Sequence, residues 1–373
     1  MRIVQLLPNL EVGGMERLVI ALAQSQKMTG HESIIYCTTH KGTLTPQAEE
    51  ASIPVVEFRK DPGFSFRLVR QIAQRLKVDK PDVLHTHNAL VHHYGVAAAR
   101  LAGVPVVVNT RHGYGSLSWD AKREGIYNFM ARWTDKIVLV SNGVQQYFVE
   151  DQHISRDRTC VIRNGVGLDS YLRRPAHPGA QRPVIRFGTV GRLAPPKDHV
   201  SLVHAFAQVA ARLPQAELHL LGEGECRPAI ESCIAGHHLR DRVTLHGFSS
   251  DVAGFLSSLD VFVLSSTSEG LPLAVLEAMG SGLPIVSTRL PGIEDVAPEN
   301  TIAWYSEPGN PPALAESMLA CSQHPDLAAL GQTASALAKG YGIDETWRQY
   351  ESLFRRLLLA KSPRTAWEGR ATA

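Results

Sequence analysis

Short apolar segments alternate with longer amphipathic segments along almost the whole chain, and this alternation limits the possible folds more than any other feature. In the first half the pattern predicts strands at 3–7, 32–38, 83–87, 104–109 and 136–140, with helices at 16–28, 66–77, 94–102 and 126–134. Buried strands that alternate with helices predict a parallel sheet covered by helices on both faces.

A proline-rich hydrophilic segment at 173–183 interrupts this alternation and is typical of a linker. The alternation then restarts, with strands predicted at 185–190, 217–221, 243–245, 261–264 and 284–287 and helices at 202–212, 229–235, 252–257 and 272–279. The sequence therefore predicts two doubly wound domains, 1–172 and 184–345, with a ligand cleft at the carboxyl ends of the strands. A final helix is predicted at 346–361 and a frayed polar tail at 362–373.

Composition excludes several classes of protein. The 373 residues are 44% hydrophobic and 20% charged with a formal charge of +2, so nucleic acid is not an expected partner. The five cysteines (37, 160, 226, 233 and 321) contain no Cys-x-x-Cys pair, which predicts reduced, mostly buried thiols and neither a disulfide framework nor a zinc site. The N-terminal apolar run is too short for a signal peptide. No uninterrupted apolar run in the sequence reaches the ~18 to 20 residues that a membrane span needs. A cytoplasmic protein is expected.

Two carboxylates lie eight positions apart in Glu269-Gly-Leu-Pro-Leu-Ala-Val-Leu-Glu277, between a predicted strand and helix. A carboxylate after a strand, followed by glycine and then by a proline at the helix start, places an acid beside free backbone amides. That arrangement suits a ligand with both hydroxyls and phosphate. Either glutamate alone would be explained as solvated charge at a helix end, but the pair in this context favours a binding site.

Two cations, Arg192 and Lys197, follow the strand predicted at 185–190, with Gly191 allowing close approach of the backbone. Two cations at a strand end would stabilise the negative charge of a departing nucleoside diphosphate. The alternative is a pair of surface cations beside an ordinary turn.

Glycines at two other strand ends allow main-chain amides to approach a phosphate. Gly13 and Gly14 follow the first strand, and Gly222 and Gly224 follow the strand at 217–221. Neither pair completes a Gly-x-Gly-x-x-Gly fingerprint, and no acid ends the second strand, so a nicotinamide site is disfavoured.

Histidines cluster in the first half. His112 ends a strand and is predicted to point into the cleft, where its imidazole could hydrogen-bond a sugar; an ordinary loop histidine is the alternative. His85 and His87 share one face of a strand, which raises the question of a metal site, as does the pair His92 and His93. No Asp-x-Asp occurs and no Glu or Cys completes a ligand set, so a metal is disfavoured.

Together these motifs resemble the family 4 retaining glycosyltransferases (glycosyl transferases group 1), most strongly over 185–290 and more loosely before 170. The resemblance implies an α/β GT-B fold, in which two Rossmann-like doubly wound parallel-sheet domains face each other across a cleft. The first domain would hold the acceptor and the second the donor, and the last helix would cross back to brace the first domain. Glu277 would bind the ribose hydroxyls, Glu269 the hexose, and Arg192 with Lys197 the diphosphate.

The resemblance also implies a full set of site residues. The catalytic residues implied are His112, Arg192, Lys197 and Glu269. The donor-binding residues implied are Gly13, Gly14, Gly191, Arg192, Lys197, Gly222, Gly247, Phe248, Glu269, Gly270, Leu271, Leu273 and Glu277, although Phe248 could equally be a core residue. Glu16 and His87 would lie on the acceptor side of the cleft.

The function implied is transfer of a hexose from a UDP- or GDP-sugar to a saccharide or lipid-linked acceptor, in bacterial exopolysaccharide or lipopolysaccharide assembly. No carboxylate is placed as a covalent nucleophile, so front-face displacement with retention is expected, without a cofactor or an obligatory metal. A GT-B sugar-nucleotide epimerase is one alternative, disfavoured by the glutamate pair. A non-catalytic nucleotide-sugar-binding subunit is another, disfavoured by the intact catalytic set.

The basic segment 64–77 carries Phe66, Val69, Ile72 and Leu76 on one stripe, with Arg67, Arg70, Arg75 and Lys77 outside it. Such a stripe is typical of a helix that packs its apolar face on the protein core, and we favour this interpretation. The alternative is a helix that contacts the inner face of the cytoplasmic membrane and brings the enzyme to a lipid-linked acceptor.

Overall fold

The computed structural model describes residues 1–60, 63–114, 121–176 and 184–361. Most of the predicted linker, 177–183, and the predicted tail, 362–373, lie outside the described residues. The described residues form two α/β domains, each built on a parallel sheet, so the fold class predicted from the sequence is confirmed.

The first domain contains a seven-stranded sheet in the order β3-β2-β1-β4-β5-β6-β7, with every pairing parallel. Its strands are β1 (Arg2–Leu7), β2 (Glu32–Cys37), β3 (Val55–Glu57), β4 (Val83–His87), β5 (Val106–Arg111), β6 (Lys136–Leu139) and β7 (Thr159–Val161). Its helices are α1 (Gly14–Met28), α2 (Thr45–Glu50), α3 (Phe66–Asp79), α4 (Asn88–Ala102), α5 (Ala121–Met130), α6 (Asn142–Glu150) and α7 (Asp169–Leu172). The strand order reverses between β1 and β4, which is where a doubly wound sheet opens a ligand crevice.

The second domain contains a six-stranded parallel sheet in the order β10-β9-β8-β11-β12-β13. Its strands are β8 (Ile185–Val190), β9 (Ala216–Leu221), β10 (Val243–Gly247), β11 (Val261–Leu264), β12 (Ile285–Thr288) and β13 (Ala303–Ser306). The remaining helices are α8 (His199–Arg212), α9 (Arg227–Gly236), α10 (Val252–Ser257), α11 (Leu273–Gly280), α12 (Pro291–Glu294), α13 (Pro311–Ser322), α14 (Leu327–Ala338) and α15 (Ile343–Lys361). Short 3-10 helices occupy Ala131–Trp133, Arg156–Arg158, Pro195–Lys197 and Lys339–Tyr341. Here the order reverses between β8 and β11.

The basic helix α3 begins where the Ser65 side chain accepts a hydrogen bond from the Leu68 amide at 3.2 Å. Val69, Ile72 and Leu76 are buried, as the predicted core stripe requires. Phe66 is 80% exposed, so its assignment to that stripe is wrong: it lies in the first turn, before the helix reaches the core. Among the described residues, no helix combines the length and the apolar character that a membrane span needs.

The final helix α15 packs on the sheet of the first domain. Trp347, Tyr350 and Phe354 are buried in a cluster with Ile3 and Val83 of β1 and β4. The Trp347 indole nitrogen also donates a hydrogen bond to the Thr29 hydroxyl at the end of α1, at 2.7 Å.

The chain passes between the domains twice, and the two passages lie side by side. The Val166 amide donates to the Tyr341 carbonyl at 3.0 Å, and the Ile343 amide donates to the Val166 carbonyl at 3.0 Å. One hydrophobic cluster continues across the interface from Val144 in the first domain to Ile293 in the second. The carboxyl edges of the two sheets therefore face each other at close range.

Candidate active site

The Glu269 carboxylate lies beyond the carboxyl end of β11 and contacts the Lys197 ammonium. It also accepts a hydrogen bond from the Ser266 hydroxyl at 2.8 Å. The loop after β11 also holds the turn that contains Lys197, because the Thr267 amide donates a hydrogen bond to the Pro196 carbonyl at 2.8 Å. The two motifs, which are 72 residues apart, thus form one cluster of opposite charges at neighbouring strand ends.

Glu277 lies on α11 and is only 8% exposed. Its carboxylate accepts a hydrogen bond from the Tyr171 hydroxyl of α7 at 2.8 Å. Burial raises the pKa of Glu277, while the Tyr171 hydrogen bond and the Arg17 charge oppose the rise. A buried carboxylate with one fixed donor retains acceptor capacity for the hydroxyls of a ligand.

The ends of β8, β9 and β10 form a platform of glycines. Gly222 has φ +151°, and a Cβ there would lie 1.9 Å from the Gly191 carbonyl oxygen, so only glycine fits. The Gly222 amide donates a hydrogen bond to the Gly247 carbonyl at 2.9 Å, which joins the end of β9 to the end of β10. Phe248 follows Gly247 and is 57% exposed, so it is not a core residue.

His112 follows β5 and takes part in a buried chain of side chains. A 3.0 Å hydrogen bond joins His112 Nε2 to His87 Nδ1, and His87 Nε2 bonds the Gln5 side-chain oxygen at 2.8 Å. Burial lowers the pKa of His112 to about 4, and burial together with the neighbouring histidines lowers the pKa of His87 well below its usual range. Both rings are therefore neutral near pH 7. His87 is completely buried beneath His112, so in this conformation it supports His112 and does not itself face solvent.

His85 and His92, which the sequence analysis considered as metal ligands, form hydrogen bonds with threonine hydroxyls. His85 Nε2 bonds the Thr110 hydroxyl at 2.7 Å. His92 bonds the hydroxyls of Thr86 and Thr134, each at 3.0 Å. Burial lowers the pKa of His85 and that of His92 to about 3.

The two domains touch at Gly270, directly after Glu269. A Cβ on Gly270 would lie 2.2 Å from the His112 carbonyl oxygen and 2.9 Å from Gly113 Cα. The Asn164 side chain, at the first chain passage, donates to the carbonyl of the buried Leu271 at 2.9 Å. His112 and Glu269 are consequently brought to the same part of the cleft.

The Gly13-Gly14 loop faces the same region from the first domain. The Glu16 carboxylate lies over Gly13, where a Cβ would be 2.2 Å from Glu16 Oε2. Gly14 faces Leu273 at the start of α11, and a Cβ on Gly14 would lie 3.8 Å from the leucine side chain. Burial raises the pKa of Glu16, and the charge of Arg192 opposes this, so the two side chains interact across the cleft.

Sequence reasoning missed three residues that hold this site together: Tyr171, Ser266 and Asn164. It also missed Asp295, whose carboxylate accepts hydrogen bonds from the backbone and side chain of Asn142 across the interface, at 2.9 and 3.1 Å. Asn142 and Asn164 each precede a glycine after a strand of the first domain, a pattern typical of a turn, but nothing local indicates their partners.

Two family models match the chain and together span most of it. Residues 12–170 match the model described as Glycosyltransferase Family 4. Residues 184–324 match the model described as Glycosyl transferases group 1. The boundary between the two matches falls at the predicted linker.

Curated relatives are transferases of several sugars. The chain is 31% identical over 232 residues to the UDP-Gal:alpha-D-GlcNAc-diphosphoundecaprenol alpha-1,3-galactosyltransferase of Escherichia coli, covering 58% of this chain and 60% of that protein. It is 27% identical over 293 residues to a sulfoquinovosyl transferase of Arabidopsis thaliana, covering 72% of this chain but 55% of the relative. It is 24% identical to the N-acetyl-alpha-D-glucosaminyl L-malate synthase of Bacillus anthracis, covering 80% of each. The chain thus spans little more than half the length of the first two relatives.

Solved structures share the fold. HepE of Anabaena, in complex with UDP and glucose, has a TM-score of 0.84 at 21% identity, covering 95% of this chain and 99% of that one. A glycosyltransferase of Rickettsia africae has a TM-score of 0.82 at 22% identity, covering 96% of this chain and 98% of that one. The GT-B fold implied by the motifs is therefore confirmed.

Proposed function

The chain belongs to the family 4 glycosyltransferases, and from this membership we propose that it transfers a hexose from a UDP- or GDP-sugar to a saccharide or lipid-linked acceptor with retention of configuration. The observation that carries the proposal is the contact between Lys197 and Glu269 at the strand ends that face His112. A cation for the diphosphate and a carboxylate for the sugar hydroxyls are then adjacent, as a nucleotide-sugar donor requires.

In the proposed reaction the bond between the anomeric carbon and the diphosphate oxygen breaks while the acceptor oxygen bonds the same face of the sugar. The acceptor proton passes to an oxygen of the departing diphosphate. Arg192 and Lys197 would stabilise the negative charge that develops there. His112, whose low pKa keeps it neutral, would act through a hydrogen bond to the sugar and not as a cation.

Glu277 and Phe248 would hold the nucleoside part of the donor. The buried Glu277 carboxylate would accept both ribose hydroxyls, and the exposed Phe248 would lie beside the base. UDP is the first nucleotide to test, because HepE shares the fold and its structure contains UDP and glucose.

The donor site can be tested by the thermal midpoint of the purified protein with UDP, GDP and their sugars, each without added metal and with a chelator. A rise of several degrees with one nucleotide is expected, and no rise with any of them would contradict the donor assignment. The Lys197→Ala variant should lose the rise and all transfer, whereas Lys27→Ala, on α1 at the opposite end from the cleft, should keep both.

The reaction itself can be tested by nuclear magnetic resonance of the product with a panel of bacterial cell-envelope acceptors. An anomeric configuration equal to that of the donor is expected. Donor isomerisation without acceptor would instead identify an epimerase, and nucleotide binding without any turnover would identify a binding subunit.

We also propose that the protein acts in the cytoplasm at the inner face of the cytoplasmic membrane, in exopolysaccharide or lipopolysaccharide synthesis. Phe64 and Phe66 stack edge to face on the surface with centroids 4.9 Å apart, and the exposed cations Arg67 and Arg70 flank them. Exposed aromatic rings beside basic residues suit an anionic lipid surface.

Sedimentation with vesicles of phosphatidylglycerol and phosphatidylcholine tests this contact. The native chain should sediment with the anionic mixture and not with pure phosphatidylcholine. The double variant Phe64→Ser, Phe66→Ser should lose binding, whereas Leu359→Ser, at another exposed apolar residue, should not; equal binding of all three proteins would refute the contact.

A further inference from the structure

Three potential metal ligands meet on the outer surface of the second domain. His204 lies on α8, Cys233 on α9, and His237 directly follows α9. Among the residues that the structure describes, these form the one group of three whose ligand atoms all lie within 4.8 Å of one another. Cys233 and His237 are one helical turn apart, which places them on the same side of α9.

The distances from His204 to the other two ligand atoms are close to those around a tetrahedral zinc ion. His204 Nδ1 lies 2.8 Å from His237 Nε2 and 3.9 Å from Cys233 Sγ. Bond lengths of about 2.0 Å to nitrogen and 2.3 Å to sulfur imply separations of roughly 3.3 Å between nitrogens and 3.6 Å between nitrogen and sulfur. Changes of about half an ångström in these two distances, within the reach of side-chain rotation, would match the separations around zinc.

We propose that His204, Cys233 and His237 bind a divalent zinc ion, with water as the fourth ligand. One thiolate with two imidazoles selects zinc over the oxygen-seeking cations magnesium and calcium. The thiol loses its proton to solvent when the metal binds, so each ion bound releases one proton. Both histidines are exposed, which gives the ion and the water direct access.

The site would join two helices that begin close to the proposed donor site. Helix α8 starts after Asp198, next to Lys197, and α9 starts shortly after Gly224. Along the axis of α9, Cys233 lies about 9 Å and His237 about 15 Å from that start. A metal here would hold α8 against α9 without touching the donor, so a structural and not a catalytic role follows.

Cobalt(II) reports this site directly, because a thiolate ligand gives a charge-transfer absorption band and tetrahedral coordination gives intense visible bands. The purified, tag-free full chain would be treated with chelator, reduced, and titrated with cobalt and then with zinc. One equivalent of cobalt should produce both sets of bands, and zinc should abolish them. Zinc should also raise the thermal midpoint.

Three variants make the test specific. Cys233→Ser should remove the thiolate band, and His204→Gln should weaken cobalt binding at least tenfold. Cys226→Ser is the matched control, since Cys226 is also partly buried in the same region but lies outside the cluster, and it should behave as the native chain. A circular dichroism spectrum like that of the native chain would show that each variant is folded.

The proposal is overturned if the native chain gives no thiolate band, or if Cys233→Ser gives the same band. Neither readout depends on the donor or the acceptor, so this outcome is separate from that of the proposed transferase activity.

Discussion

Glu269 and Glu277 differ in their surroundings although they belong to one motif. Glu269 contacts the long side chain of Lys197, and the phosphate of the proposed donor would attract that lysine away. Glu277 is buried, and its partner is a tyrosine held on a different segment of the chain. In the proposed reaction, Glu269 would exchange its lysine contact for one with the sugar, whereas Glu277 would keep the same position before and after the nucleotide binds.

Replacing Tyr171 by Phe should weaken nucleotide binding about tenfold, equivalent to about 1.4 kcal/mol, because Glu277 loses the hydrogen bond that orients it. Titration calorimetry with the nucleotide that raises the thermal midpoint would measure the change. Tyr36→Phe is the control: it removes a buried tyrosine hydroxyl that contacts Asp79 in the first domain, and it should leave the affinity unchanged. Equal affinities of Tyr171→Phe and the native chain would show that this hydrogen bond does not support binding.

His92 should make the folded state sensitive to acid. Its pKa is lowered to about 3 by burial, whereas an unfolded histidine titrates near 6.5, so between these values the unfolded state binds the extra proton. The contribution of His92 to the free energy of unfolding is complete above pH 6.5. As the pH is lowered near pH 5, this contribution decreases by about 1.4 kcal/mol for each pH unit. Urea unfolding of the native chain and of His92→Gln between pH 5 and 6 would compare the slopes. The variant should have the smaller slope, and identical slopes would contradict a neutral buried His92.

At the scale of single elements, α15 shows how one helix can stabilise a domain to which it is not adjacent in sequence. It leaves the second domain after Gly342 and covers the first sheet with Trp347, Tyr350 and Phe354. The apolar spacing along α15 predicts a buried face, but the sheet that covers it is fixed by the chain passage at Val166. The helix therefore couples the stability of the first domain to an intact C-terminal segment.

Trp347→Ala should lower the free energy of unfolding by about 3 to 5 kcal/mol, because it opens a cavity under α15 and removes the bond to Thr29. Leu359→Ala on the same helix changes a side chain that is 74% exposed and should alter stability by less than about 0.5 kcal/mol. Denaturant unfolding of both variants gives the comparison. Similar values for the two would mean that Trp347 does not anchor α15 on the sheet.

At the scale of the whole molecule, the two domains approach so closely that backbone meets backbone. Gly270 lies between the His112–Gly113 segment and Gly292, where a Cβ on Gly292 would be 1.6 Å from the Gly270 carbonyl oxygen. Polar contacts at Asn164 and Asp295 fix the same arrangement. Assembly of the proposed active site thus depends on the relative position of the two domains.

Gly270→Ala should reduce kcat at least tenfold by keeping His112 away from the donor, while the second domain still binds nucleotide. Steady-state kinetics and nucleotide titration measure the two effects separately. Gly125→Ala is the control, because a Cβ there meets no atom within 4 Å. Unchanged kcat in Gly270→Ala would show that the close approach is not needed for transfer.

Much of the fold could be predicted from the sequence because it depends on local periodicity. The strands Val83–His87 and Ile185–Val190 and the helix Val252–Ser257 coincide with their predicted bounds. The short edge strands β3 and β7 and the helices α13 and α14 were not predicted. Three residues are too few to show a period, and α13 shows no clear polar face because its exposed positions include Pro312 and Ala320 beside Glu316.

The features of the candidate site also fall into those that follow from the sequence and those that only the structure shows. The sequence by itself determined that Glu269 and Lys197 follow strands of one parallel sheet and therefore lie at its carboxyl edge. The structure decided that β8 and β11 are neighbours in that sheet, which brings the two side chains into contact. Only the tertiary structure decided that Tyr171 reaches Glu277 over 106 residues, that His87 lies beneath His112, and that His204 of α8 meets Cys233 and His237 at the end of α9. These contacts depend on how helices and domains pack against one another, and side chains distant in sequence leave no local pattern that identifies their partners.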